Sequence, residues 1–257
     1  LAAGGNVKSL SVSLSVPFSE NSVEKFYLEY FMEGIKFEAD KNDCVISSGH
    51  SYQSQEPGIT LTLNGEIESN VSKNSAKEGD LIYLSKPLGT GYLLAAYFNN
   101  SEMLSSYDFQ KILNNLKKGN FFATNSARNS GSQTMTDISG FGLSSHLIDI
   151  CLSSNLSSEL ILSPDILINT NIDLLRMFQS TSFENNHNSS RGYIKISENH
   201  PLKNILFDPQ TNGPMLIAIN KQNQKKFENY FSNESDIKPI LIGRFIDKLE
   251  KAIYVNE

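Results

Sequence analysis

The sequence contains little that would support a disulfide scaffold, a local zinc site or a membrane span. It has only two cysteines, Cys44 and Cys151, and four histidines in 257 residues. The cysteines form no C-x-x-C pair and follow or occupy apolar runs, so we expect buried, reduced thiols. No two histidines stand four residues apart, as in a helical zinc site. No apolar run approaches the ~20 residues of a membrane-spanning helix, so we expect no membrane association.

Positive charge is also scarce. The chain has 22 Lys and Arg against 28 Asp and Glu, which gives a formal net charge of -6. It has no long run of Lys and Arg. Sequence-independent binding of nucleic acid depends on positive charge that neutralises phosphates. We therefore expect no nucleic-acid partner.

The hydrophobic pattern predicts an α/β or α+β chain of two lobes. Strict alternation over Ser9–Phe18 and Gly58–Ile67 indicates two half-buried strands, and apolar spacing of three and four residues predicts a helix over Ser22–Ala39. Beyond the second of these strands, short apolar runs alternate with helical patterns, including a predicted helix at Asn169–Gln179. Strands mixed with amphipathic helices indicate layered α/β architecture. We place the two lobes at residues 1–78 and 79–257.

Four small or polar residues follow a short apolar run at Asp43–Ser47, which we expect to be a strand. They are Ser48, Gly49, His50 and Ser51. Small residues let a phosphate or a ribose approach the backbone, and a histidine can donate a hydrogen bond to an anion. A plain turn at the end of the strand explains the same residues equally well, so the pattern leaves both interpretations open.

A carboxylate lies in another predicted strand, Met135–Ile138. Asp137 is followed by the glycine-containing turn Ser139–Gly142 and then by a predicted helix. Mg²⁺ prefers one or two carboxylates together with phosphate oxygens and water, so Asp137 is a candidate metal ligand. The pattern by itself slightly favours the alternative, a helix N-cap or turn residue.

Two further turns are rich in glycine and proline. Lys86–Gly91 joins the predicted strand Leu81–Leu84 to a helix, but its lysine precedes the glycines, unlike the order in a Walker A loop. Asp208–Gly213 precedes the predicted strand Met215–Ile219. In both places we favour a structural turn over a phosphate-binding loop.

The order of these segments is more specific than any one of them. Together they closely resemble selenophosphate synthetase, also called selenide, water dikinase, a family of the aminoimidazole ribonucleotide synthetase superfamily. The segments that carry the resemblance are Gly49–Ser51, Glu56-Pro57, Lys86–Gly91, Thr136–Gly142 and Phe207–Thr211. The resemblance covers essentially the whole chain and implies the two-lobed α/β fold of that superfamily.

The resemblance also implies a function. The family is an ATP-dependent phosphotransferase that makes selenophosphate from selenide, ATP and water and releases AMP and phosphate. It implies ATP and selenide as partners, Mg²⁺ as cofactor, a cytoplasmic location and a homodimer, in which the alternating strands could build an intersubunit sheet. By position, Gly49, His50 and Ser51 match a segment that contacts ATP bound in the partner subunit, and Asp137 matches a metal-binding aspartate.

The chain departs from the family at several places, one of which is Ser48, where the family usually has glycine. The family's catalytic Cys or selenocysteine and its essential Lys match positions before Leu1, so we expect no catalytic residue within this chain and an inactive chain on its own. A fusion behind a pyridine-nucleotide oxidoreductase, known in the family, would explain such a start. Pro214 stands where the family has glycine. The Asn-rich stretch Phe183–Arg191 replaces a Gly-Gly-Thr loop, and we expect it to be an exposed loop.

Two other interpretations stay open. One is a structural or interaction module that keeps the fold and no longer turns over ATP, which Pro214 and the replaced loop favour. The other is a different ATP-using member of the superfamily, such as thiamine monophosphate kinase or a hydrogenase-maturation protein. The Asp208–Thr211 and Gly49–Ser51 segments argue against that second alternative.

Overall fold

The computed structural model describes residues 2, 4–67 and 70–256. The chain divides into two compact units, essentially Ala3–Glu68 and Ser69–Glu257, and each is described by itself. The described residues form ten β-strands, eight α-helices and several short 3₁₀ turns. The strands build two mixed sheets, so the predicted α/β class is confirmed.

The first unit is a three-stranded sheet with one helix. Its elements are β1 (Gly5–Pro17), α1 (Asn21–Lys41), β2 (Val45–Ser54) and β3 (Gly58–Ile67). The order is β2-β1-β3, with β2 parallel and β3 antiparallel to β1. Because side chains alternate along a strand, β1 buries Leu10, Val12 and Leu14 in a small core with Ile35 and Ala39 of α1.

The predicted strand Asp43–Ser47 is confirmed for residues 45–47 only, and the alternative of a plain turn after it is wrong. Strand β2 begins at Val45 and continues through the expected turn to Ser54. It lies at the edge of the sheet and is mostly exposed, so no apolar alternation reveals it. Backbone pairing with β1 holds it, with a register shift between Leu10 and Ser11 that marks a β-bulge.

The second unit is a seven-stranded sheet with seven helices among the residues described. The strands are β4 (Leu81–Leu84), β5 (Thr134–Asp137), β6 (Ser157–Ile161), β7 (Ile194–Lys195), β8 (Met215–Ile219), β9 (Ile240–Ile246) and β10 (Ile253–Asn256). The helices are α2 (Thr90–Asn99), α3 (Ser106–Lys117), α4 (Phe121–Asn129), α5 (Gly142–Ser153), α6 (Ile172–Met177), α7 (Phe183–Ser190) and α8 (Gln224–Glu234). The order in the sheet is β5-β8-β4-β9-β6-β10-β7.

Both faces of this sheet are covered by helices. Alternate residues of β8 divide between two cores: Leu216 and Ala218 belong to the larger core, and Ile217 belongs to the smaller one. The smaller core also contains Phe227 and Phe231 of α8. A strand covered on both faces reads as a continuous apolar run, which is why β8 was predicted at the residues where it lies.

Four parts of the second unit differ from the sequence-based expectation. Residues 70–78 pack with this unit: the Ser72 N–H donates to Gln133 O, 2.9 Å away, and Ala76 joins the larger core. Of the helix predicted at Asn169–Gln179, only α6 forms. The Asn171 side chain accepts a hydrogen bond from the Asp173 N–H and thereby caps the N-terminus of α6. Helix α4 was not predicted.

The Asn-rich stretch is the fourth difference, since Phe183–Ser190 is helix α7 and not an exposed loop. Its buried side chains are Phe183, Asn186 and Ser190, at the spacing of one helical face. Two of the three are polar, so hydropathy does not reveal the helix. None of the helices in the described part of the chain has both the length and the apolar character needed to cross a membrane.

Candidate functional site

In the first unit, the predicted nucleotide-contacting residues lie in the middle of an edge strand. Gly49, His50 and Ser51 of β2 pair in register with residues 12 to 14 of β1, and all three are exposed. The His50 ring lies over Tyr52, with ring centroids 6.3 Å apart. An ideal Cβ at Gly49 would lie 3.3 Å from the Val12 carbonyl oxygen. The three residues therefore present a strand surface to a ligand, not a turn.

A groove of about 490 Å³ opens beside this strand. Its floor and one wall are apolar side chains of β1 and α1, and its rim is the polar segment 47–51. Pockets that combine apolar walls with a few polar groups suit small organic ligands. The groove therefore combines an apolar interior with a polar rim.

In the second unit, Asp137 is the last residue of β5 and its side chain is exposed. The turn that follows is fastened by backbone bonds: Ile138 N–H donates to Pro214 O (2.9 Å) and Gln210 N–H donates to Ser139 O (3.0 Å). Helix α5 then begins at Gly142, which has φ +73°. An ideal Cβ there would lie 3.0 Å from Leu206 O and 3.1 Å from Asp208 O, so both the conformation and the space favour glycine.

The glycine-rich turn before α2 is already occupied by side chains. The Gln210 side-chain oxygen accepts hydrogen bonds from the Gly89 and Thr90 N–H groups (2.9 and 3.3 Å) and from the Thr90 hydroxyl (3.2 Å). The Gly91 N–H donates to Asp208 Oδ2 (3.2 Å), which also accepts from Gln210 Nε2 (2.8 Å). These donors are therefore not free to bind a phosphate, and the interpretation of Lys86–Gly91 as a structural turn holds.

Lys86 is also committed within the protein. Its side chain is fully buried, and Nζ donates to the carbonyls of Asn115 (3.1 Å) and Lys118 (2.6 Å) at the C-terminal end of α3. Burial, reinforced by the charge of Lys118, lowers the pKa of Lys86 to about 8. A cation at the C-terminus of a helix is favourable, which accounts for a lysine at this place.

Two titratable groups, Asp208 and His146, lie close to the turn Ser139–Gly142 that follows Asp137. Asp208 is 1% exposed, and burial raises its pKa to about 7 against the lowering effect of its hydrogen bond from Gln210. Its Oδ1 atom has no hydrogen-bond partner. His146 of α5 accepts the Ser139 N–H at Nε2 (3.3 Å), and burial lowers the pKa of His146 although the Asp137 charge opposes that shift.

Asn186 of α7 joins the turn after Asp137 to the loop before Asp208. Its side-chain Nδ2 donates to Gly140 O (2.9 Å) and to Phe207 O (3.0 Å), and the residue is 4% exposed. Sequence reasoning missed this residue because it lies in the Asn-rich stretch. The signal was its spacing from Phe183 and Ser190, which a search for apolar residues alone does not find.

A magnesium site would have Asp137 as its single identified carboxylate. Residues 2, 4–67 and 70–256 contain no group of three or more His, Cys, Asp or Glu side chains that could hold a metal ion. Mg²⁺ commonly takes one or two carboxylates and completes its shell with phosphate oxygens and water. The exposed Asp137 therefore fits a shared metal–nucleotide site, but it does not form a metal site alone.

Both cysteines are free and buried, as predicted. Burial raises the pKa of Cys44, and it raises that of Cys151 to about 11. A thiol with a raised pKa carries little thiolate at neutral pH and is a poor nucleophile. The two thiols therefore pack as small apolar groups.

Comparison with known sequences identifies related proteins. A family profile described as AIR synthase related protein, C-terminal domain, matches residues 77–256. The selenide, water dikinase of Shewanella sp. strain MR-7 is 31% identical over 202 residues, which are 77% of this chain and 56% of that protein. The selenide, water dikinase of Caldanaerobacter subterraneus is 26% identical over 267 residues, covering 100% of this chain and 77% of that protein. The chain thus spans little more than half the length of the Shewanella relative.

A solved structure shares the fold. The crystal structure of thiamine-monophosphate kinase from Stenotrophomonas maltophilia matches with a TM-score of 0.72 over 99% of this chain and 73% of that one, at 18% sequence identity. At this identity the match concerns the fold alone. The predicted superfamily fold is confirmed, and these relatives are named as kinases.

Proposed function

Because the chain belongs to the AIR synthase-related family, we propose that it is the ATP-dependent phosphotransferase domain of a selenide, water dikinase. The reaction would convert selenide, ATP and water to selenophosphate, AMP and phosphate. Sequence identity to selenide, water dikinases over 202 residues supports this choice of substrate. The feature that carries the proposal is Asp137, an exposed carboxylate on a turn that is fastened to its neighbours.

Phosphoryl transfer needs positioning and neutralisation of phosphate charge more than covalent help from the protein. In the proposed site, Asp137 would hold Mg²⁺, which supplies positive charge next to the phosphate oxygens. In the first unit, the groove rimmed by Gly49, His50 and Ser51 would separately contact ATP that is bound in a partner subunit. We assign no residue in the described part of the chain as the nucleophile of this reaction.

Calorimetric titration of ATP in the presence and absence of Mg²⁺ tests the assignment of Asp137 as a metal ligand. We expect Asp137→Asn to weaken Mg²⁺-dependent ATP binding about tenfold or more, because the site loses its identified carboxylate. Asp165→Asn is the matched control, since Asp165 is an exposed acid on a 3₁₀ turn. Unchanged binding by Asp137→Asn would remove Asp137 from the site.

The substrate is tested with the whole protein that carries this chain. Formation of AMP and phosphate from ATP should require selenide. Formation of ADP in the presence of thiamine monophosphate, with no effect of selenide, would identify another kinase of the same fold.

We also propose that the first unit forms a homodimer. Leu63, Leu61 and Ile59 of β3 stand directly opposite Leu10, Val12 and Leu14 of β1, so they share the apolar face of the sheet. The β1 side chains are 3–5% exposed, whereas the three β3 side chains are 41–56% exposed. A second copy of the same apolar face would bury them.

A second candidate function is a module that no longer turns over ATP. It is favoured by one observation: the stretch that the resemblance matches to the family's Gly-Gly-Thr loop forms helix α7 in this chain. The ATP titration separates the two functions. A folded dimer that binds no ATP at millimolar concentration with Mg²⁺ would establish the module.

A further inference from the structure

The side-chain amide of Asn186 is committed to two turns that are distant in sequence. Both of its N–H bonds are used, one on Gly140 O at 2.9 Å and one on Phe207 O at 3.0 Å. Gly140 lies three residues after Asp137, and Phe207 immediately precedes Asp208. A single side chain of α7 thus joins the end of strand β5 to the loop before β8.

The turn after Asp137 is open on its outer side, so contacts on its inner side alone hold its Gly140 segment. An ideal Cβ at Gly140 would have nothing within 4 Å, and Phe141 is 67% exposed. On the inner side, two successive carbonyls are held: Ser139 O by the Gln210 N–H and Gly140 O by Asn186. Without the amide, the Gly140 carbonyl would have no partner from the protein interior, and glycine leaves the turn free to rotate.

We propose that Asn186 is a positioning residue for metal-nucleotide binding, which fixes the turn that directly follows Asp137. This proposal rests on the proposed function. Misplacing a ligand by about 1 Å is enough to weaken a site strongly, and partners that orient a metal ligand typically contribute about 10–100-fold to metal affinity. This positioning requires the two N–H donors of the Asn186 amide. A side chain that fills the same space without donors would not provide it.

The test compares Asn186→Leu with Asn188→Leu. Leucine has the same branched arrangement of side-chain heavy atoms as asparagine, is somewhat larger, and has no donor. Asn188 lies on the same helix with its side chain exposed, so it is a matched control. We expect the Mg²⁺ concentration that half-saturates ATP binding to rise about 10–100-fold in Asn186→Leu and to stay unchanged in Asn188→Leu. An unchanged requirement in Asn186→Leu would overturn the proposal.

Hydrogen exchange provides a readout without metal or nucleotide. The N–H groups of Gly142 and Gln210 both donate to Ser139 O, so they report on the turn. In Asn186→Leu they should exchange faster relative to the amides of β8, which follow the stability of the whole unit. An equal acceleration in β8 would mean that the variant is only less stable, and the positioning role would be refuted. If Asn186→Leu does not fold, Asn186→Ser takes its place.

A double variant separates this proposal from the proposed function. If Asn186 acts through Asp137, then Asn186→Leu should cause no further loss of Mg²⁺-dependent ATP binding in an Asp137→Asn background. Additive losses would show an independent effect and contradict the proposal alone. Failure of Asp137→Asn to change the Mg²⁺ requirement would instead contradict the proposed function, and the positioning role would fall with it.

Discussion

Asp208 accepts a hydrogen bond from the Gly91 N–H, 3.2 Å away, in the first turn of α2. The contact places a buried carboxylate at a helix N-terminus, where negative charge is favourable. Burial nevertheless dominates, because the pKa of Asp208 is raised to about 7. The Asp208 side chain therefore both binds the N-terminus of α2 and makes the stability of the second unit depend on pH.

The first prediction concerns this pH response. Since the pKa of Asp208 is higher in the folded than in the unfolded chain, the folded chain binds more protons between pH ~4 and ~7, and stability from this group falls as pH rises through that window. Asp208→Asn should remove this component. The free energy of unfolding of Asp208→Asn minus that of wild type should therefore increase as pH rises from ~4 to ~7. At about 1.4 kcal/mol per pKa unit, the increase amounts to at most about 4 kcal/mol.

Urea denaturation at pH 5, 6, 7 and 8 checks this prediction for both proteins. Glu102→Gln, which changes an exposed acid on a 3₁₀ turn, is a suitable control for unspecific charge effects. A constant difference between wild type and Asp208→Asn across the four pH values would contradict the raised pKa.

The second prediction concerns Gly91. An ideal Cβ at this residue would lie 2.4 Å from Pro209 O and 2.5 Å from Asp208 Oδ1, which is inside van der Waals contact. Gly91→Ala should therefore reduce the free energy of unfolding by about 1–3 kcal/mol or more. Gly119→Ala is the control, because no atom lies within 4 Å of its ideal Cβ. Equal thermal midpoints for the two variants would refute the close approach.

The third prediction concerns Lys86 at the end of α3. Lys86→Met keeps the aliphatic stem but leaves the Asn115 carbonyl without this donor, so we expect a loss of about 1–3 kcal/mol at pH 7. Because the pKa of Lys86 is lowered to about 8, the unfolded chain binds more protons between pH ~8 and ~10.5. Stability from this group therefore rises with pH in that window.

Chemical denaturation at pH 7 and pH 9.5 measures both effects, and the Lys86→Met variant should lack the rise. Lys117→Met, at an exposed position of the same helix, is the matched control. A variant at Lys86 as stable as the control at pH 7 would show that the two hydrogen bonds of Nζ contribute nothing measurable.

The fourth prediction concerns self-association through β3. Leu61→Glu places a charge on the apolar face of the sheet and should convert the proposed dimer to a monomer. Thr60→Glu places the same charge on the opposite face of the same strand and should leave the dimer intact. Light scattering after size exclusion distinguishes the two. A wild-type protein that is monomeric at micromolar concentration would contradict the proposed dimer.

The sequence predicted well those helices and strands that are buried on one face or on both faces. Strand β3 lies at the predicted residues, and β1 and α1 overlap their predictions closely, because alternating and helical apolar patterns record burial directly. Strand β8 was predicted for the same reason. The position of Asp137 at the end of β5 also followed from a short apolar run before a glycine turn.

What the sequence did not predict depends on contacts between distant segments. Strand β2 is an exposed edge that pairing with β1 holds in place. Helix α4 buries small residues, including Ala123 and Ser126, and α7 buries Asn186, so their inner faces lack an apolar signal. The role of Gln210 could not be read locally either, since each partner of its amide oxygen lies about 120 positions away.

That separation has a consequence for the order of folding. The first turn of α2 obtains its side-chain partners only from Asp208 and Gln210, and residue 89 is separated from Gln210 by 121 positions. During synthesis, α2 therefore leaves the ribosome long before the groups that cap it. Contacts of such high sequence separation form late, because a long loop must close first. We expect nascent chains that stop before residue 208 to carry an uncapped, protease-sensitive α2.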